Sequence, residues 1–511
     1  MPFHSLHRPL CRFWLVPLAF VLGQTLAPAA PAQTAAFTQS LAATASEDQV
    51  VADWYRETGY RTLWTGPEDA GRRAAFLTAI LAAKDHGLPV ARYDAAALMA
   101  RLRAAETEGD RGRIEVEMTR AYLAWARDLT SGALEPKKVD AGIVRHIDRV
   151  DPKTLLTRIA NGNPEAVLKW LEPKSPVYLQ LMKAKLGLEA QIAAGGWGEP
   201  VPAKLLSPGD SGPGVVALRD RLVRMGYLAP TSLASYDRGL QAAVTGFQLA
   251  HGLTPDGVAN AATLAEINLP PEARLKSVIV AMERERWMDI DRDQKHIWVN
   301  LPDFRAKIID GGKTIFDTRV VIGKNVPDQR SPEFSDEMEH MVINPSWGVP
   351  RSIIVNEYLP LLQRNPNAVS HLQVIDGRGR VVSRGSVNFA AYSAKSFPFG
   401  LRQPPSDGNA LGKVKFMFPN PYNIYLHDTP SKSLFDHEVR AYSHGCIRVA
   451  DPFDLAHELL SWQVDNAEEE FEAALKTGKE TMVKLKQHLP VHLVYFTAYP
   501  DSRGRISYRR D

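Results

Sequence analysis

Cysteine is almost absent from this 511-residue chain, which has only Cys11 and Cys446. Two cysteines cannot build a disulfide framework, which needs several pairs. Cys11 lies in an amino-terminal stretch that we expect to be removed, so Cys446 would keep no internal partner. An odd thiol is a buried inert residue, an intermolecular link or a nucleophile. Composition alone favours the buried residue, because free cysteine is among the most buried residue types.

The amino terminus lacks an apolar run long enough to span a membrane. The run over residues 13–23 is far shorter than the roughly 18 to 20 apolar residues that a span needs. It follows two arginines and precedes a small-residue stretch over residues 27–32. This order predicts a cleaved secretory signal peptide over residues 1–32, a mature chain that begins near Gln33, and export to the periplasm. An uncleaved anchor is the alternative interpretation.

A large excess of charge of one sign is absent too. The formal net charge is +3, and residues 1–32 contain two arginines and no acidic residue, so the remaining chain would carry +1. Proteins that bind nucleic acid usually have a clustered basic face, so this balance argues against such a partner. No second apolar stretch of spanning length follows, which predicts no membrane span after signal cleavage.

The rest of the sequence divides into three regions of different periodicity. Residues 36–195 have apolar residues at three- and four-residue spacing, which predicts helices. Residues 203–268, after a Gly/Pro-rich linker, predict a compact module of three short helices. Residues 275–511 alternate as antiparallel strands do, and the long insertion over 351–412 is typical of a lid. We therefore expect a multidomain α+β protein.

The segment YSHGCIRV, over residues 442–449, holds Cys446 and is the most informative part of the chain. Nineteen residues earlier lies His427, at the end of the predicted strand YNIYLHD. Strand alternation places His427 and Tyr425 on the face away from the core. A free thiol with a pKa of about 8.5 is only a few per cent thiolate at neutral pH, so an imidazole that accepts its proton would activate it. We expect Cys446 to be the nucleophile and His427 its general base.

The neighbours of Cys446 suggest supporting roles. Gly445 lacks a Cβ atom, so its surroundings could admit a substrate carbonyl and aim backbone N–H groups, including that of Cys446, at a developing oxyanion. His444 could shape the pocket or hydrogen-bond the base, Ser443 could orient either imidazole, and Arg448 could hold a substrate carboxylate. The alternatives are a turn cap for Ser443 and a solvated or salt-bridged Arg448.

A metal site is another use of the same histidines. His427, His437 and His444 could bind zinc, with Asp428 as a fourth ligand. However, no compact metal-ligand spacing such as H-E-x-x-H occurs in the chain. We expect neither a metal nor a cofactor, because nucleophilic catalysis by a thiol needs none.

The segment HDTPSKSLFDHEVRAYSHGCIRV resembles the signature of the L,D-transpeptidases, which cross-link or edit bacterial peptidoglycan through a Cys thioester. The resemblance extends to INPSWGVPRSI, to NALGKVKFMFPNPYNIYLHDTP and to the C-terminal VYFTAYPD. Residues 203–268 are similar to a helical peptidoglycan-binding domain. The segment VADWYRETGYRTLW is similar to the N-terminal scaffold of the large periplasmic subgroup.

This resemblance implies a helical scaffold domain, a peptidoglycan-binding module, and a mainly β catalytic domain in which residues 351–412 cap the substrate. It implies Cys446 as the nucleophile and His427 as the acid/base, with His444 and Gly445 beside them. The expected substrate-binding residues are Arg448, Ser443, Tyr425 and Trp347.

The expected substrates are peptidoglycan tetrapeptide stems, which the enzyme would join into 3-3 cross-links or whose terminal D-amino acid it would exchange. The resemblance also implies a covalent carbapenem adduct at Cys446. One alternative is an L,D-carboxypeptidase or other cysteine peptidase that uses the same site with water as the acceptor. The other is a non-catalytic peptidoglycan-binding scaffold in which the thiol is inert.

Overall fold

The computed structural model describes residues 35–288 and 290–511. The predicted signal peptide over residues 1–32, its cleavage site and Cys11 lie outside the described residues. Within the described ranges, no helix combines the length and the apolar character that crossing a membrane requires.

The amino-terminal region is helical, as its apolar spacing predicts. Several helices begin with proline at the first position, and the residue before it caps the helix: Asp151, Asn163 and Ser175 each accept a backbone N–H. The helices are α1 (Ala35–Ala45), α2 (Gln49–Glu57), α3 (Ala70–Leu81), α4 (Ala95–Arg103), α5 (Glu108–Ser131), α6 (Pro136–Val139), α7 (Pro152–Asn161), α8 (Pro164–Leu171) and α9 (Pro176–Ala193).

A small helical module and a connecting helix follow. The module contains α10 (Pro213–Arg224), α11 (Arg238–Ala250) and α12 (Ala261–Ile267), and α13 (Pro271–Arg286) leads out of it. Val215, Leu218 and Leu222 are fully buried in the module's own core, which confirms the three-helix prediction.

Helix α9 does not join the core of the preceding helices. That core holds buried side chains from Phe37 to Leu171. The side chains of Tyr178 and Leu181 on α9 instead pack with Met282 of α13. Residues 36–195 therefore do not share one core, and α9 ties the helical region to the carboxyl-terminal half of the chain.

The carboxyl-terminal region is built mainly of strands. A nine-stranded sheet has the order β11-β3-β12-β10-β9-β4-β13-β1-β2, and an additional pairing of β2 with β3 closes it into a barrel. The strands are β1 (His296–Asn300), β2 (Arg305–Asp310), β3 (Lys313–Gly323), β4 (Phe334–Ile343), β5 (Trp347–Gly348), β6 (Gln373–Ile375), β7 (Val381–Val382), β8 (Gly400–Gln403), β9 (Val414–Met417), β10 (Leu426–His427), β11 (Ala441–Ser443), β12 (Ile447–Val449), β13 (Thr481–Val494), β14 (Ala498–Pro500) and β15 (Ile506–Tyr508).

The insertion folds as a separate small unit, which we call the cap. Its sheet has the order β5-β8-β6-β7, and its own core includes Trp347, Leu362 and Leu401. The structure thus extends the predicted 351–412 insertion back to Trp347. The helices of the cap are α14 (Arg351–Ile353), a π-helix (Ile354–Tyr358) and α15 (Leu359–Arg364). Two more helices, α16 (Pro452–Ser461) and α17 (Ala467–Lys476), lie between β12 and β13.

The three-helix module is fastened to the last strand of the chain. The His251 ring stacks on Phe247 of α11 and on Tyr508 of β15, with ring centroids 3.7 and 5.4 Å apart. Arg509 adds a hydrogen bond of 3.1 Å from its Nη1 to the carbonyl oxygen of Ala250. The module is thus held against the carboxyl-terminal region by side-chain contacts as well as by its linkers.

Candidate active site

The predicted base lies on β10, and the predicted nucleophile lies directly before the neighbouring parallel strand β12. His427 of β10 pairs with Arg448 of β12, which places Tyr425 beside Cys446 two residues earlier in the same register. The residues between them, Leu426 and Ile447, are fully buried in the barrel core. Because side chains alternate along a strand, the opposite face is shared by His427, Arg448, Tyr425 and Cys446. Tyr425 also contacts the cap core there.

The His427 imidazole is buried and has a defined tautomer. Its Nδ1 donates a hydrogen bond to the carbonyl oxygen of Asp428, so Nε2 keeps the free lone pair. Burial, and then the positive charge of Arg448, lower the pKa of His427 to about 3. The imidazole is therefore neutral at physiological pH and able to accept a proton at Nε2.

Asp428 fixes the backbone that orients this imidazole. Its carboxylate accepts hydrogen bonds from the Lys413 backbone N–H at 2.8 Å and from the Lys432 Nζ at 2.7 Å. Gly412 has a φ of +62°, and a Cβ atom there would lie 2.2 Å from the Asp428 Oδ2. Glycine is therefore required at position 412, a role that sequence reasoning missed although the NALG segment contains it.

The surroundings of Cys446 favour the protonated thiol. Its Sγ lies 3.5 Å from the Asn423 carbonyl oxygen, to which it donates. Burial raises the pKa of Cys446 to about 11, although hydrogen bonds with Tyr425 and the Arg448 charge act in the opposite direction. This direction does not favour a resting thiolate, and activation of Cys446 by proton transfer to His427 stays a prediction. The hydrogen bonds of the sulfur run to Asn423 and Tyr425 and leave His427 neutral.

The turn over residues 443–446, which we call the nucleophile turn, is held by the side chain of its first residue, Ser443. Ser443 Oγ donates to the Cys446 carbonyl oxygen at 2.6 Å and accepts from the Gly445 N–H at 3.1 Å. Ser443 is only 2% exposed, which agrees with the turn-cap alternative, and its contact with substrate stays a prediction. The Gly445 N–H is occupied by the Ser443 Oγ in this structure, and its role toward an oxyanion stays a prediction. Gly445 has a φ of +118°, a backbone conformation that favours glycine. A Cβ atom at this position would also lie 3.1 Å from the Ile424 Cδ1.

Two further predicted residues contact the cap. His444 Nε2 donates to the Glu357 Oε1 of the π-helix at 2.7 Å, so its partner is the cap and not the base, which corrects one of its two expected roles. Trp347 is 9% exposed and packs edge-on against Tyr358 within the cap core. Direct contact between Trp347 and substrate stays a prediction.

Arg448 forms no ion pair with a carboxylate of the described residues. Its Nε is buried and has no hydrogen-bond partner among the described residues. The pKa of Arg448 is lowered by burial, and the neighbouring Cys446 acts in the opposite direction with a smaller effect. The salt-bridged alternative for Arg448 therefore has no partner in the described part of the chain.

The zinc alternative receives no support from the described residues. Across 35–288 and 290–511, no three His, Cys, Asp or Glu side chains come close enough to hold a metal ion. His427 and His444 are each engaged elsewhere, with Asp428 and Glu357 respectively.

A separate cavity of about 1170 Å³ lies between the helical region, the module and the barrel. Its lining includes Ser331, whose Oγ donates to the Gly445 carbonyl oxygen at 2.6 Å. Neither Cys446 nor His427 lines it. The cavity therefore reaches the nucleophile turn through Ser331 but does not contain the predicted nucleophile and base.

Three family models match this chain. Residues 294–478 match the L,D-transpeptidase catalytic domain, residues 211–267 match "Putative peptidoglycan binding domain", and residues 49–184 match the Scaffold domain. The carboxyl-terminal region therefore belongs to the L,D-transpeptidase catalytic domain family. The chain combines it with a helical amino-terminal region and a peptidoglycan-binding module, as the resemblance implied.

A curated relative is similar to part of the chain. It is a Haemophilus influenzae protein named "Putative L,D-transpeptidase", and it is 33% identical over 230 residues, which are 45% of this chain and 46% of that protein. The match thus spans about half the length of this relative.

Solved structures show a weaker likeness. Crystal structures of L,D-transpeptidases from Xylanimonas cellulosilytica and Stackebrandtia nassauensis are each 15% identical to this chain and cover 58% of it. The alignments cover 100% and 97% of those chains, with TM-scores of 0.19 and 0.21.

Proposed function

We propose that this chain is a peptidoglycan L,D-transpeptidase that acts in the periplasm after export. The observation that carries the proposal is the shared face of β10 and β12, where His427 and Cys446 lie one diagonal step apart. The family of residues 294–478 agrees with the same chemistry. The substrates would be tetrapeptide stems, which the module and the catalytic cleft would both meet at the cell wall.

In the first half-reaction, Cys446 Sγ attacks the carbonyl carbon of the third, L-centred residue of a donor stem. His427 Nε2 takes the thiol proton as the carbon–sulfur bond forms, because both groups start neutral. The imidazolium then gives this proton to the leaving nitrogen, and terminal D-alanine departs. The product is a thioester between the stem and Cys446.

In the second half-reaction, an amine of a neighbouring stem attacks the thioester. His427 takes the amine proton and returns it to the departing sulfur, which leaves a 3-3 cross-link or, with a free D-amino acid, an exchanged terminus. Water competes for the same thioester, so the cap would favour the amine by excluding water. The contact between His444 and Glu357 supports this role, because it holds the cap against the nucleophile turn.

The test compares the native chain with its Cys446→Ala variant on purified tetrapeptide muropeptides, analysed by mass spectrometry. We expect cross-linked dimers only with the native chain, and equal thermal unfolding of both proteins would show that the fold is intact. Continued dimer formation by Cys446→Ala would refute the assignment. Tripeptides without dimers would identify an L,D-carboxypeptidase, and binding without any product would identify a scaffold.

Carbapenem reactivity gives a second readout of the same thiol. We expect the native chain to gain the mass of one carbapenem molecule in intact-mass measurements, because the strained ring acylates an attacking thiol. The Cys446→Ala variant should gain nothing. A mass shift that persists in the variant would place the reactive group elsewhere.

A further inference from the structure

The catalytic imidazole lies between two cationic side chains. In the barrel register, His427 of β10 pairs with Lys415 of β9 on one side and with Arg448 of β12 on the other. Directly paired residues project from the same face of a sheet, and neighbouring strands are about 5 Å apart. Phe416, the strand neighbour of Lys415, is fully buried in the barrel core, so Lys415 points to the catalytic face.

Neither cation is neutralised by an ion pair with a described carboxylate. The carboxylate that acts on Lys415 is Glu480, and its Oε2 accepts a hydrogen bond of 2.5 Å from the Ser346 Oγ. The Lys415 ammonium otherwise lies 5.9 Å from the centre of the Tyr425 ring. On the other side, the buried Nε of Arg448 has no hydrogen-bond partner among the described residues.

The acidic residue that follows the imidazole cannot supply the missing charge. Both oxygens of Asp428 are engaged, Oδ1 with Lys432 and Oδ2 with the Lys413 backbone. Buried cations normally have a paired anion, because removal of a charge from water is costly when nothing replaces the water. The catalytic face therefore has positive charge on both sides of His427, and no carboxylate within 35–288 or 290–511 forms an ion pair with either cation.

We propose that Lys415 and Arg448 form a carboxylate-binding site across His427, which takes a free carboxylate of the donor stem next to the bond that Cys446 attacks. Arg448 would supply a planar fork of N–H donors, and Lys415 a compact charge on the opposite side. This inference rests on the proposed function for the identity of the ligand. It adds Lys415 as a residue that determines substrate specificity.

Two carboxylates of a tetrapeptide stem have the required chemistry. One is the terminal carboxylate of the fourth residue, and the other is a side-chain carboxylate of the third residue. Both lie close to the scissile carbonyl, so three synthetic stems are needed to distinguish them. The first keeps both groups free, the second has a terminal amide and the third has a side-chain amide.

The measurement is kcat/KM for acylation of the full chain, followed by intact mass, with each of the three stems. For the native chain, we expect one of the two amides to lower kcat/KM about ten-fold or more, as loss of a charge-assisted hydrogen bond does. On the unmodified stem, Lys415→Met should lower kcat/KM by a similar factor relative to the native chain. On the sensitive amide stem, the native chain and Lys415→Met should differ in kcat/KM by less than about two-fold. Equal losses on all three stems, or no loss on any of them, would overturn the proposal.

Two further variants separate charge from structure. Lys415→Arg keeps the positive charge and should retain acylation to within about three-fold of the native chain. Lys484→Met is the matched control: Lys484 pairs with His340 on the catalytic face of the same barrel but is exposed. Its kcat/KM should be unchanged, and a loss equal to that of Lys415→Met would count against a local carboxylate site.

A binding measurement keeps this inference separate from the proposed function. Calorimetric titration of Cys446→Ala with the unmodified stem needs no turnover, and we expect Lys415→Met in that background to weaken binding about ten-fold. If the native chain forms no thioester but binding depends on Lys415, the carboxylate site stands and the proposed function fails. If the native chain acylates every stem equally well, the proposed function stands and the carboxylate site fails.

Discussion

Cys446 and His427 start the reaction as two neutral groups, because burial acts on them in opposite directions. The pKa of the thiol rises to about 11 and the pKa of the imidazole falls to about 3. Between these values the thiol keeps its proton and His427 Nε2 stays free. We therefore expect attack by sulfur and proton transfer to His427 to occur together, because these pKa shifts disfavour a stored thiolate–imidazolium pair.

This resting state predicts how the thiol responds to pH. Below its raised pKa the thiolate fraction grows ten-fold for each pH unit, so alkylation of Cys446 by iodoacetamide should rise steadily from pH 7 to 10. The measurement uses a Cys11→Ser chain, in which Cys446 is the single thiol, and Cys446→Ala supplies the background. A rate that reaches a plateau by about pH 7 would show an activated thiolate and contradict the expectation.

Local sequence patterns predicted some of these residues better than others. Alternation in YNIYLHD places His427 on the face away from Leu426, and the fully buried Leu426 confirms it. The sequence left two roles open for Ser443, substrate contact and turn cap, because its partners are backbone atoms in a turn whose shape depends on Gly445. Side-chain identity alone does not distinguish a serine that binds substrate from one that closes a turn.

At the scale of single elements, β10 is only two residues long but carries His427, the proposed base. It is held because β9 and β12 pair with it on either side. Its strand character was visible in the sequence, but its neighbours were not, because register between distant segments is a long-range property. The same limit explains why Lys415 drew no attention at first: its place beside His427 depends on the β9–β10 pairing.

The cap is the element whose contact with the barrel gives the next prediction. Glu357→Ala removes the 2.7 Å bond to His444, so the cap should open more often and admit water to the thioester. We expect the ratio of hydrolysed tripeptide to cross-linked dimer to rise at least two-fold, measured by mass spectrometry of the products. The effect should be moderate, because both side chains are partly exposed.

A cap-internal variant serves as the control for Glu357→Ala. Asp376→Ala removes an ion pair with Arg380 that lies wholly within the cap. It should leave the product ratio unchanged if docking of the cap, and not its internal stability, excludes water. Similar ratios for both variants would contradict the role given to Glu357.

At the scale of the whole molecule, α9 joins the helical region to the barrel side of the protein. Arg286 of α13 donates to the Tyr178 hydroxyl of α9 at 2.7 Å, within a cluster that also contains Phe496. The helical character of α9 followed from its apolar spacing. Its partner did not, because the apolar face of a helix does not identify the surface that covers it.

Two leucines on α9 test whether this helix supports both halves of the chain. Leu181 is fully buried and Leu179 is 46% exposed. Leu181→Ala should lower the free energy of opening of α9 and α13 by about 2 to 5 kcal/mol, the usual result of emptying a buried leucine site. Hydrogen–deuterium exchange should then rise in both helices.

Leu179→Ala changes the same helix on its exposed side and should alter that free energy by less than about 0.5 kcal/mol. Faster exchange in α9 alone after Leu181→Ala, with α13 unaffected, would show that the two helices do not support each other. Helix α3 lies in the separate amino-terminal core and provides an internal reference.

The stacking of His251 on Tyr508 has a consequence for how such a protein would work along the cell wall. A module joined by a flexible linker alone would take many positions, whereas one packed against the last strand of the chain stays at a constant distance from the thiol. A glycan chain gripped by the module would therefore present its peptides at one distance and in one direction. Under the proposed function, the protein would then act only on neighbouring glycan chains that lie at a matching separation.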